Sequence, residues 1–388
     1  MQWVVIAATF ALIVIALQTV MNVFVLPRLQ PSQVTGSQPF VSILVPARNE
    51  SLVIERLINS LLAQTYPNFE VIVLDDASTD NTKQVALTAA NNQQNFNLIQ
   101  GQPLPQGWAG KNWACHQVST IAKGDILLFT DADTLWKPDA LSALVSHMDS
   151  SRADLLTVWS TQITQTWAER LTIQLVNFVI LGYLPIFMTH YSNVAMFGAA
   201  NGQCMAWRKQ AYQKIGGHAA VASNVLEDVT MARLAKSHRL RLRMADGNRL
   251  IFCHMYNGWQ SVRDGFAKNI LAGHGQSIIA LVVSTLFHLT LFVLPCFLLF
   301  VPQYGAWGFA MLSLAISTRA LSAAYSQQSI MDAFFMPLSV LLMTCIAILS
   351  IHWRFSGGPR WKGRQLTSSQ ETLWQPKPPS SSAQVSVD

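Results

Sequence analysis

Three acidic clusters stand apart in a chain otherwise poor in charge: Asp75 with Asp76, Asp131 with Asp133 across one alanine, and Glu227 with Asp228. Two carboxylates separated by one small residue can place one or both groups on a hard divalent cation. Such a cation neutralises a diphosphate leaving group while bridging its oxygens. Asp75 or Asp76 could accept hydrogen bonds from a ribose or a base edge. Each cluster also has an ordinary reading, because Asp is a common turn former and acids at a helix start complement the helix dipole. For Glu227 and Asp228 the two readings, proton acceptor and dipole partner, weigh equally on residue type alone.

The elements around the clusters favour the chemical reading. Between Phe40 and Ala132 short β-branched runs alternate with helical patterns, which predicts an α/β fold with a mostly parallel sheet. A first strand, Phe40 to Val45, ends at Pro46, Ala47, Arg48, Asn49 and Glu50. A helix through Leu52, Ile54, Leu57, Ile58, Leu61 and Leu62 follows at apolar spacings of three and four. A second strand, Phe69 to Leu74, runs into Asp75 and Asp76, with Ser78, Thr79 and Asp80 as candidate caps of the next helix. A further strand, Asp125 to Thr130, runs into Asp131 and Asp133. Ligands of open α/β sheets bind outside the carboxyl ends of strands, so these acids face one crevice. Lys111, close to Gly107 and Gly110, is a candidate diphosphate contact.

The chain has 388 residues, 51% of them hydrophobic and only 12% charged, about half the usual charged share. The charges concentrate between Arg48 and Lys268, which predicts a water-facing domain between membrane segments. Residues 1–27 read as a transmembrane anchor, since Trp3 to Leu26 carries no charge and is long enough to span. Residues 40–256 form the α/β domain, with a possible interfacial helix over 168–190. Residues 257–277 read as an amphipathic interfacial segment and 278–352 as a membrane bundle of two to three helices. A basic and then disordered tail occupies 353–388. If the middle domain is cytoplasmic, three full C-terminal crossings leave Arg354, Arg360, Lys362 and Arg364 outside, against the positive-inside rule. The segment holding Arg319 is therefore expected to be re-entrant or interfacial. The net charge of +6 comes without a Lys/Arg stripe, so the expected partner is the bilayer and not a nucleic acid. The five cysteines lack metal-ligand spacing.

The runs Val45-Pro46-Ala47-Arg48-Asn49-Glu50, Asp75-Asp76-Ala77-Ser78-Thr79-Asp80 and Asp131-Ala132-Asp133 resemble family 2 of the glycosyltransferases. The stretch Pro103 to Ala114 is similar to a membrane subgroup that includes bacterial carotenoid and hopanoid-associated glycosyltransferases. The resemblance implies a GT-A fold, a UDP-sugar or GDP-sugar donor, Mg²⁺ or Mn²⁺ at Asp131 and Asp133, and inversion at the anomeric carbon. It implies donor contacts from Pro46, Arg48, Glu50, Asp75, Asp76, Lys111, Asp131 and Asp133. On the acceptor side it implies Asn201, Gly202, Gln203, Glu227 and Arg263, with Asp228 as catalytic base. The processive members' Gln-x-x-Arg-Trp pattern is broken here, where Asp264 follows Arg263. A single sugar is therefore expected to pass to a lipid, with a carotenoid, hopanoid or other terpenoid preferred. A sphingoid or polyprenyl-phosphate acceptor is the runner-up, and a non-catalytic membrane scaffold the reading from another class. The expected location is a multi-pass membrane protein with the catalytic domain on the cytoplasmic face.

Overall fold

The computed structural model describes residues 1–31 and 38–356, together with the backbone of the two short strands at 360–361 and 364–365. The disordered-tail expectation falls mostly outside the described residues. The strands are β1 (Val41–Ala47), β2 (Phe69–Asp75), β3 (Phe96–Gln100), β4 (Ile126–Thr130), β5 (Thr134–Trp136), β6 (Leu155–Trp159), β7 (Thr161–Gln162), β8 (Cys204–Arg208), β9 (Leu242–Asp246) and β10 (Ile251–Cys253). The helices are α1 (Gln2–Val25), α2 (Ile54–Leu62), α3 (Thr82–Ala90), α4 (Gly110–Ile121), α5 (Ala140–Ser150), α6 (Trp167–Thr172), α7 (Gln174–Tyr183), α8 (Ile186–Tyr191), α9 (Lys209–Lys214), α10 (Glu227–Ser237), α11 (Gly258–Gly273), α12 (Ile278–Phe292), α13 (Leu294–Leu298), α14 (Gly305–Tyr325) and α15 (Met336–Phe355).

Seven strands form one mixed sheet in the order β3-β2-β1-β4-β8-β6-β9. β1 pairs in parallel with β2 and β4, while β8 runs antiparallel to β4 and β6. The central strands are covered on both faces, and so read as unbroken apolar runs. One face packs Leu57 and Ile58 of α2, Ala86 of α3 and Leu144 of α5; the other packs Val118 of α4 and Met231 of α10. The register that sets Ala47 beside Asp75 brings the ends of β1 and β2 level.

Local differences from the sequence reading have physical causes. β1 continues to Ala47, and α2 starts only at Ile54, which leaves Leu52 97% exposed. Asn49 takes a left-handed φ of 52° there, and Ser51 N–H donates to Asp80, tying the turn to the neighbouring loop. The stretch 168–190 is not one interfacial helix but three short ones, α6 to α8, broken between α7 and α8 at Leu184 and Pro185. Asn22 of α1 donates to the carbonyls of Leu181 (2.8 Å) and Leu184 (2.6 Å), which supplies partners at the end of α7. A Cβ on Gly182 would lie 3.0 Å from Ile15, so glycine permits the close packing of α7 on α1.

Three helical stretches are long and apolar enough to cross a membrane: Gln2–Val25, Ile278–Leu298 and Ile330–Phe355. The Arg319 segment falls outside that group. It is an unbroken helix of 21 residues, about 31 Å long, running parallel to α1. At one end Tyr325 hydroxyl donates to Leu26 O, and Arg28 donates to Tyr325 O at 2.6 Å. At the other, Val5, Ala8 and Leu12 share a buried cluster with Met311 and Ala315.

Candidate active site

Four elements meet at one point, three of them with charged groups. β4 ends at Asp131, α4 opens with Lys111, α10 opens with Glu227 and Asp228, and the loop before β8 supplies Gly202. Lys111 Nζ lies 2.8 Å from Asp131 Oδ1 and 3.0 Å from Glu227 Oε1. Gly202 N–H donates to Asp228 Oδ2 at 2.9 Å. A Cβ on Gly202 would meet Lys111 Nζ at 3.1 Å and the carboxylates of Asp228 and Glu227 at 3.4 Å. The glycine thus marks the centre of the cluster, and its bare face is where a substrate group can approach. Pro46, at the end of β1, lines the same small cavity with Lys111, Asp131, Gly202 and Glu227.

Electrostatics separates the roles. Burial alone would lower the pKa of Lys111, but Asp131 and Glu227 outweigh it and hold the ammonium well above its ordinary range. With the Lys111 side chain 39% exposed, these ion pairs orient more than they stabilise. Burial, and then Glu227, push Asp228 up to about 6, against the opposing pull of Lys111 and the N–H groups of Val229 and Gly202. A carboxylate poised just below neutrality is suited to accept a proton.

Asp133 bears on a metal. Burial, then Asp131 and Glu50, raise it to about 7. Its Oδ1 is buried without a hydrogen-bond partner, so the site calls for a proton or a cation there. Among the described residues no three His, Cys, Asp or Glu side chains converge to hold a metal by themselves. Asp131 and Asp133 are oxygen donors that would suit a hard divalent ion of the Mg²⁺ or Mn²⁺ kind.

The other expected donor contacts lie at the ends of β1 and β2. Arg48 donates to Asp76 O at 2.5 Å and sits 3.8 Å from its carboxylate. Asp75 accepts from Ser78 N–H at 3.2 Å within its own turn. Glu50 acts electrostatically on Asp133, and its N–H donates to Thr82 Oγ1 at 2.7 Å. Asn201 and Gln203 bond each other, and Gln162 donates to Gln203 at 3.1 Å, so these amides shape the loop around Gly202. Arg263 pairs with Asp264 at 2.7 Å on α11, and no described contact carries it to the acid cluster.

Two positioning residues escaped the sequence reading. Asn112 donates to the carbonyls of Val221, Ala222 and Asn224 at 2.7 to 3.2 Å, clamping the loop before α10 to the helix that bears Lys111. Its signal was its place directly after Lys111. Glu169, fully buried, accepts from Gln165 N–H and Gly258 N–H at 2.7 Å and so fastens the start of α11 to α6. His254 joins this group 3.7 Å from Glu169, and its N–H donates to Asp133 O. Nothing in local spacing announces that contact across the fold.

Comparison with known proteins gives the following. Residues 42–215 match the family model "Glycosyl transferase family 2". The chain is 28% identical over 347 residues, 85% of its length and 89% of the relative's, to 4,4'-diaponeurosporenoate glycosyltransferase of Staphylococcus aureus (strain bovine RF122 / ET3-1). It superposes with a TM-score of 0.54 at 19% identity on a mannosyltransferase from Pyrobaculum calidifontis solved with GDP-Man and Mn²⁺, covering 90% of this chain and 98% of that one.

Proposed function

Since this chain is a glycosyltransferase with a family 2 domain and a GT-A fold, we propose that it transfers one sugar from a nucleotide-sugar to a terpenoid lipid at the cytoplasmic face of a membrane. The observation that carries the reading is the convergence of Lys111, Asp131, Glu227 and Asp228 on Gly202.

In this reading Arg48 and Asp76 hold the nucleoside, while Lys111 turns from its acids toward the diphosphate. Asp131 and Asp133 would hold a divalent ion, which when bound supplies positive charge to the leaving group. Asp228 removes the proton of an acceptor hydroxyl, and inversion follows because the oxygen enters opposite the departing phosphate. The S. aureus relative is named for a carotenoid carboxylate. A carboxylate reaches the site already ionised, so it has less need of Asp228. α1 crosses the bilayer with α14 packed parallel beside it, and α6 to α8 keep the acceptor loop close to its surface.

The test is full-length protein in nanodiscs given radiolabelled UDP-sugars and GDP-sugars with Mn²⁺ and, in parallel, a carotenoid acid, a carotenoid alcohol, a hopanoid, a ceramide and a polyprenyl phosphate. Label extracted with the carotenoid or hopanoid supports the proposal. Label only on ceramide or polyprenyl phosphate would replace its acceptor class.

A further inference from the structure

Arg319 is a guanidinium inside an apolar bundle, only 2% exposed. It donates to Ser339 Oγ at 2.6 Å, to Leu171 O at 3.4 Å and to Met336 Sδ at 3.5 Å, and its Nε is buried with no partner. No carboxylate lies within ion-pair distance of it among the described residues. The acid nearest in electrostatic effect, Asp332, is taken by Arg170, whose two nitrogens reach its two oxygens at 3.0 and 2.6 Å. The group of Arg170, Asp332 and Arg319 therefore carries one uncompensated positive charge. A buried charge without a counter-ion is costly, and in membrane helices such groups mark functional sites.

Polar groups of the kind that would surround a counter-ion are already assembled. A cleft between α7 and the end of α14 is lined by Arg319, Gln174, Asn177, Ser322, Ser326 and Gln328. Gln328 donates to Gln162 O at 2.9 Å and Gln162 to Gln203 at 3.1 Å, so the cleft connects through two glutamines to the loop that holds Gly202.

We propose that Arg319 and the amides and hydroxyls of this cleft bind the anionic end, carboxylate or phosphate, of a membrane amphiphile beside the reaction centre. The amphiphile is an ionised terpenoid acceptor awaiting transfer or an anionic phospholipid of the bilayer; only the first possibility rests on the function proposed above. An anion here supplies the missing counter-charge and receives charge-assisted hydrogen bonds from the guanidinium.

The experiment uses full-length protein in phosphatidylcholine nanodiscs, with binding followed by native mass spectrometry as either phosphatidylglycerol or a carotenoid acid is added. The wild type should bind at least one of them about tenfold more tightly than its uncharged counterpart. Which of the two binds identifies the source. Arg319→Gln should remove that preference, while Arg319→Lys keeps part of it. If Arg319→Gln fails to fold, Ser322→Leu fills the cleft and leaves the hydrogen bonds of Arg319 to Ser339, Leu171 and Met336 in place; it should abolish the preference equally. No preference in the wild type, or an undiminished one in Arg319→Gln or Ser322→Leu, overturns the proposal. Calorimetry of UDP or GDP with Mn²⁺ on the same particles keeps the outcomes separate. Loss of nucleotide binding counts against the transferase site, and loss of anion preference counts against the cleft.

Discussion

Replacing Asp228 with Asn should abolish one reaction, spare another and leave the protein no less stable. Raising a carboxyl from 3.8 to about 6 costs the ionised form about 3 kcal/mol. The sign follows from proton binding. Between those two values the folded protein holds a proton that the unfolded chain has lost, so stability declines as pH rises through that window, and the full penalty applies above 6. Asn cannot ionise and escapes it. Against this, the carboxylate accepts from Gly202 and Val229 N–H, and losing one acceptor costs about 1 kcal/mol. In the absence of donor and metal, Asp228→Asn should be more stable than wild type by about 1 to 2 kcal/mol at pH 8, with no gain at pH 4.

The kinetic consequence depends on the acceptor. With a hydroxyl acceptor, loss of a general base should lower kcat by about 10² to 10⁴. With a carboxylate acceptor, which arrives ionised, the loss should stay within about tenfold. Wild-type kcat/KM for the hydroxyl acceptor should fall on acidification through pH 6, and the variant should show no such limb. The assays are turnover with both acceptors, donor binding by calorimetry, and denaturant unfolding at pH 4 and 8. Equal loss with both acceptors, with donor binding retained, would refute proton removal and assign Asp228 to positioning. A variant less stable than wild type at pH 8 would refute the electrostatic account.

The remaining expectations concern groups around the same point. Lys111→Met removes one charge-assisted contact, so nucleotide affinity in Mn²⁺ should drop at least about tenfold by calorimetry; unchanged affinity would take Lys111 out of the donor site. Asp133→Ala should abolish the Mn²⁺ dependence of nucleotide binding, and a wild-type metal response would remove Asp133 as a ligand. Gly202→Ala adds a methyl 3.1 Å from the flexible end of Lys111, so turnover should suffer while thermal stability holds. Gly198→Ala adds one 2.7 Å from the backbone of Arg233, so unfolding should show a loss of about 1 to 3 kcal/mol. Equal melting temperatures for the two alanine variants would contradict this contrast.

The sequence made the α/β alternation and the acid clusters legible because buried strands are uninterrupted apolar runs and their ends carry the polar residues. Phe96–Gln100 was missed since an edge strand with half-buried positions lacks that contrast. The break of 168–190 into three helices depends on α1: Asn22 satisfies the carbonyls at the end of α7 from a distant part of the chain. The surroundings of Arg319 were hidden for a related reason. Its charge lowers local hydropathy, and its partners are Ser339, Leu171 and Met336, which spacing cannot supply. Within the site, Asp131, Glu227 and Asp228 stood out by residue type and position and took their roles from the family resemblance, whereas the clamp by Asn112 and the occupied amides of Asn201 and Gln203 follow from tertiary contacts.

A structure of the full-length protein with a non-hydrolysable nucleotide-sugar and Mn²⁺ tests the central claim most directly. The sugar should lie over Gly202, with the diphosphate beside Lys111, the ion on Asp131 or Asp133, and Asp228 facing the carbon that is attacked. A nucleotide bound away from these side chains, or an ion that touches neither Asp131 nor Asp133, would contradict it.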